Sequence, residues 1–138
     1  MQETGWEYAI VYSHDRPQLL AKRLAALVTN TVFHTMDITG PVVLISDLHL
    51  TAEDPSGLEC FEAFTQHLHG VDQLYILGDL FEYWVGDDSA EALGLTGVCT
   101  ALKRLHESGT QITLMTGNRD FLLGQDFCKS TGCHLLQE

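Results

Sequence analysis

VVLISDLHL, residues 42–50, starts as an unbroken apolar run and ends with an Asp and a His two positions apart, Asp47 and His49. Its β-branched opening, Val42 to Ser46, reads as a buried strand. Two explanations compete for the polar ending. Either the chain turns there on ordinary polar residues, or the strand delivers two metal ligands to its tip. The choice depends on whether other strands end in the same way.

The pattern repeats outward from this stretch. SGLECFEAFTQHLHG (56–70) places Leu58, Phe61, Phe64 and Leu68 on one helical face and closes at Gly70. DQLYILG (72–78) is a second apolar run, and QITLMTG (111–117) a third. Between them, AEALGLTGVCTALKRLHESG (90–109) is helical in its second half, where Val98, Leu102 and Leu105 share a face, and it stops at Gly109. FLLGQDFCKSTG (121–132) predicts a short helix, and CHLLQ opens a fourth strand. Strands alternating with helices define an α/β fold of βαβ units with a parallel sheet. Ligands of such sheets bind beyond the carboxyl ends of the strands.

All three complete strands end in chemistry-bearing residues at that edge: Asp47-Leu48-His49, Gly78-Asp79 and Gly117-Asn118-Arg119-Asp120. Carboxylate, imidazole and amide oxygen together suit Mn²⁺, with Fe²⁺, Zn²⁺, Co²⁺ and Mg²⁺ as competitors. An Asp on the middle strand can bridge two ions about 3.5–4 Å apart. The glycines permit tight turns, and Arg119 offers a forked donor for phosphate oxygens. Each residue also has an ordinary structural reading. Asp47 can cap a turn, His49 can be a structural histidine, and Gly78-Asp79 and Asn118 are common turn residues. Arg119 and Asp120 can form a surface ion pair. The joint recurrence favours the metal reading.

D-x-H, then G-D, then G-N-R-D on successive strands resembles the calcineurin-like metallophosphoesterase superfamily. SDLHL, LYILGDLFEYWVGDD and GNRDFLLG resemble, within it, the UDP-2,3-diacylglucosamine diphosphatases (hydrolases) of lipid A biosynthesis, from about residue 42 onward. The resemblance implies an α/β/β/α sandwich, of which residues 41–138 would form a truncated, N-terminal part, with residues 1–40 an extension outside the match. It implies that Asp47 and His49 bind a first metal, Asp79 bridges two, and Asn118 binds the second. Asn118 and Arg119 would contact substrate phosphates, so Asp79, Asn118 and Arg119 form the implied catalytic set. The implied cofactor is a pair of Mn²⁺ ions. The implied reaction is hydrolysis of UDP-2,3-diacylglucosamine to 2,3-diacylglucosamine 1-phosphate and UMP. The alternatives are another dinuclear phosphoesterase acting on nucleotides or phosphoproteins, or a non-catalytic remnant.

The family pattern also includes a His from a later strand and a G-H-x-H pair. The one His after Asn118 is His134 in GCHLL, which is not assigned to the site. The chain is therefore expected to hold its ions largely through water, to be inactive alone, and to leave the face meant for a second sheet exposed. In FEYWVGDD, Phe81, Tyr83 and Trp84 are expected to pack the loop rather than meet acyl chains, and Asp87 and Asp88 to be solvated or turn-forming.

Composition sets outer bounds. The 138 residues carry 19 Asp+Glu against 7 Lys+Arg, a net charge of -12, which argues against nucleic-acid binding. Cys60, Cys99, Cys128 and Cys133 lack metal-site spacing and read as reduced, mostly buried thiols. No apolar run approaches the ~18 residues of a membrane span, and no signal peptide is evident. A cytoplasmic protein, peripheral on the inner face of the inner membrane, is what the resemblance implies. RPQLLAKRLAALV, after Pro17, has helical spacing but no chemical constellation.

Overall fold

The computed structural model describes residues 10–11, 42–68 and 71–136. Among them five parallel strands form one sheet in sequential order: β1 (Ile10–Val11), β2 (Val42–Ile45), β3 (Gln73–Leu77), β4 (Gln111–Met115) and β5 (His134–Leu135). Helices α1 (Pro55–Gln66), α2 (Thr96–Glu107) and α3 (Gln125–Thr131) link β2 through β5. The expected α/β class, the order of elements from residue 42 and the single sheet all hold. β1 was not expected. It pairs in parallel with β2, Ile10 opposite Leu44, so the N-terminal segment adds an edge strand. The expected helix after Pro17 lies outside the described residues, as does Gly70.

Register explains the core. Val43 stands opposite Leu74 and Ile45 opposite Ile76, and these face Ile112 and Leu114 on β4. All six are fully buried. The parallel crossovers run in one direction along the sheet, so all three helices cover that same face. Phe61, Phe64 and Leu68, then Val98, Leu102 and Leu105, meet the strands there in one cluster. Asp54 caps α1 by accepting from Gly57 N–H at 3.2 Å, with Pro55 at the first turn. The opposite face carries Leu44, Tyr75, Leu77 and Met115. The first three are half-buried and Met115 is 38% exposed, so that face is less open than expected.

Candidate metal centre

The polar strand ends meet at the carboxyl edge because the loops after β2 and β3 stay paired beyond the strands. Asp47 N–H donates to Gly78 O at 3.1 Å, His49 N–H to Asp79 O at 3.0 Å and Leu50 N–H to Leu80 O at 2.8 Å. This ladder lays Asp47, His49 and Asp79 side by side. Their ligand atoms all lie within 4.8 Å of one another, and all three residues are half-buried.

Backbone conformation singles out the same three. Asp47, His49 and Asp79 are the non-glycine residues with positive φ, at 56°, 51° and 52°, among the described residues. Side chains rarely adopt this left-handed region, and such strain, of order 1 kcal/mol or more each, gathers at functional sites. Here the three residues in left-handed backbone are the same three whose ligand atoms converge at the sheet edge.

Two glycines let β3 and β4 approach. Gly78 has φ 99°, and a Cβ on it would lie 3.3 Å from Gly117 Cα. Gly117 is required for space rather than for φ: a Cβ there would overlap the Asp79 carboxylate and come 2.6 Å from Asp79 N. Across this contact Arg119 N–H donates to Asp79 Oδ1 at 2.9 Å. Asp79 thus joins both neighbouring loops, its backbone carbonyl accepting from His49 N–H and its carboxylate from Arg119 N–H. Asn118 lies exposed between Gly117 and Arg119, at the same edge but on the third loop. The Arg119 guanidinium reaches Glu82 Oε1 at 2.9 Å. His134, level with Thr113 on β5, is exposed.

Three carboxylates play parts that differ from the sequence expectation or escaped it. Asp120 is no surface ion pair: it is fully buried and accepts from Gly117 N–H at 2.8 Å and Phe81 N–H at 3.1 Å. It pins the loop of Asn118 to the loop of Asp79. Asp87 is neither solvated nor merely turn-forming. It accepts from Trp84 Nε1–H at 3.1 Å and from Gly124 and Phe127 N–H, each at 3.0 Å, and so caps α3 from 37–40 residues away. Asp88 is exposed, as expected. Glu82, half-buried and unremarked in sequence, stands between Arg119 and His49.

Phe81 and Trp84 pack the loop as expected, and Tyr83 does not. Phe81 and Trp84 stack at 4.7 Å and Phe127 meets Trp84 edge-on at 5.4 Å. Tyr83 is 41% exposed and donates to Glu53 Oε1 at 3.1 Å. Beside this cluster, burial raises the pKa of the Cys99 and Cys128 thiols, with the Asp87 charge adding to it. Burial pushes Cys133 up to about 12.

Two carboxylates and an imidazole within this spacing fit a borderline-hard divalent cation, and the triad is a potential metal-binding group. A parallel α/β sheet with this group at its carboxyl edge is consistent with part of a metallophosphoesterase. No family model matches the chain. Among curated proteins it is similar to the UDP-2,3-diacylglucosamine hydrolase of Pseudomonas syringae pv. syringae (strain B728a), 48% identical over 98 residues, covering 70% of this chain and 39% of that protein. The protein of the same name from Pseudomonas putida (strain KT2440) is 50% identical over 101 residues, 70% of this chain and 40% of the relative. The chain thus spans about two fifths of the length of the relatives it matches. No helix among the described residues is long and apolar enough to cross a membrane.

Proposed function

We propose that this chain carries the first metal-ligating part of a UDP-2,3-diacylglucosamine hydrolase, cleaving the pyrophosphate to 2,3-diacylglucosamine 1-phosphate and UMP. The observation that carries the reading is the convergence of Asp47, His49 and Asp79, each in left-handed backbone, on one point of the sheet edge. The names of the relatives supply the substrate.

In this reading Asp47, His49 and Asp79 would hold a first Mn²⁺, and Asp79 and Asn118 would hold a second. A bound divalent cation supplies Lewis acidity toward phosphate oxygens and an activated water. The chain's own residues orient the substrate. Asn118 and Arg119 stand exposed on the loop tethered to Asp79, placed to meet phosphate oxygens. The exposed apolar Val85, Phe121 and Leu122 lie on the two loops that Asp87 and Asp120 join, a surface suited to acyl chains. Such a substrate places the protein at the inner face of the inner membrane, peripherally and without nucleic acid. Residues 41–138 form the phosphoesterase part and residues 1–40 an extension to it.

The test joins this chain to the remaining length of the P. syringae relative and compares UDP-2,3-diacylglucosamine with a generic phosphodiester. Mn²⁺-dependent release of UMP, lost in Asp79→Ala, is the expected result. Hydrolysis of the generic ester alone would replace the lipid substrate with a nucleotide or phosphoprotein one. No hydrolysis of either would leave a non-catalytic remnant.

A further inference from the structure

Glu82 belongs to none of the strand-end motifs, yet its two carboxylate oxygens face two different functional side chains. Oε1 lies 2.9 Å from Arg119 Nη1, and Oε2 lies 3.5 Å from His49 Nδ1. The other ring nitrogen, His49 Nε2, is turned to Asp47 Oδ1 at 3.8 Å. Glu82 is itself fixed: its N–H donates to Leu50 O at 3.0 Å, the next step of the ladder that aligns the triad, and its side chain is 22% exposed.

We propose that Glu82 is a positioning residue for the cation site and for Arg119, an inference that rests on the metal reading above. A neutral imidazole has one N–H and one lone pair. A carboxylate 3.5 Å from Nδ1 favours the proton on that nitrogen electrostatically and leaves the Nε2 lone pair facing Asp47 and the cation. The second oxygen holds the Arg119 guanidinium at the rim, where a phosphate can take it over. The Arg119 guanidinium balances the Glu82 charge at 2.9 Å. One carboxylate thereby couples the residue that binds the cation to the residue that meets the phosphate.

The experiment uses the 138-residue chain, wild type and with Glu82→Met, Glu82→Gln or Asp79→Ala. Mn²⁺ is titrated by electron paramagnetic resonance. The His49 tautomer is read by ¹⁵N NMR on the metal-free, neutral imidazole, and thermal midpoints are recorded. Glu82→Met is expected to weaken Mn²⁺ binding about 10–100-fold, the usual effect of losing such a support. It should also shift His49 from the Nδ1–H toward the Nε2–H tautomer with the melting midpoint kept. Glu82→Gln, which retains one acceptor oxygen, should recover part of both. Wild-type affinity and an unchanged tautomer in Glu82→Met overturn the positioning role while leaving the cation reading intact. If the wild type takes up no Mn²⁺ but its tautomer follows Glu82, the contact stands and the cation reading falls. An affinity loss that tracks a fall in melting midpoint, with no tautomer change, makes Glu82 merely structural and overturns the proposal.

Discussion

Replacing Asp120 by Ala tests how the site is assembled. Its carboxylate is the acceptor for two backbone donors that belong to different loops, Gly117 N–H at 2.8 Å and Phe81 N–H at 3.1 Å. Phe81 is fully buried, so its N–H loses its partner with no access to water. That orphaned donor costs about 2–3 kcal/mol. Gly117 is half-buried and its N–H can reach solvent, which lowers its share to about 1 kcal/mol. The sum is a destabilisation of about 3–4 kcal/mol, a large part of the stability of a small domain. Asp120→Asn keeps one acceptor but turns an NH₂ group toward the other N–H, for about 2 kcal/mol. Urea unfolding followed by the fluorescence of Trp84, 3% exposed and stacked on Phe81, reads both changes. Asp120→Ala within about 1 kcal/mol of wild type would refute the tether.

Other expected outcomes follow from the same contacts. Gly117→Ala should lower Mn²⁺ uptake and stability together, because its methyl overlaps the Asp79 carboxylate; retained uptake would show that the loops can part freely. Asp87→Ala removes the cap of α3 and the Trp84 partner, and should cost about 2 kcal/mol in urea unfolding. The Cys133 thiol, raised from its ordinary 9.0 to about 12, stabilises the fold fully below pH 9. That contribution is lost as pH climbs from 9 toward 12, because the unfolded chain ionises first. Denaturant midpoints should therefore decline over that window, and less steeply in Cys133→Ala.

The regular parts of this molecule were legible because their signals are local. Leu58, Phe61 and Phe64 announce α1 by spacing, although it ends at Gln66, short of the expected Leu68 and Gly70, and Val42 to Ile45 announce β2 by composition. The recurrence of Asp and Gly at strand ends located the edge where Asp47, His49 and Asp79 meet. Their left-handed backbone was not legible, since Asp and His there look like any loop residues. Asp87, Asp120 and Glu82 were missed or misread for one reason. Each has at least one partner, a backbone N–H or a side chain, 33–40 residues distant, a relation that neighbouring letters do not encode. Asp120 looked like half of an ion pair because Arg119 precedes it, but Arg119 turns to Glu82 instead. β1 is two residues long and fell below any periodic signal.

The most direct measurement is saturable Mn²⁺ binding by the chain compared across Asp47→Ala, His49→Ala, Asp79→Ala and the exposed control Asp88→Ala. Uptake that is lost in the first three and retained in the fourth places the cation on the triad. Equal weakening in Asp88→Ala and Asp79→Ala would mean that Mn²⁺ merely follows the acidic surface, and the metal centre would not exist.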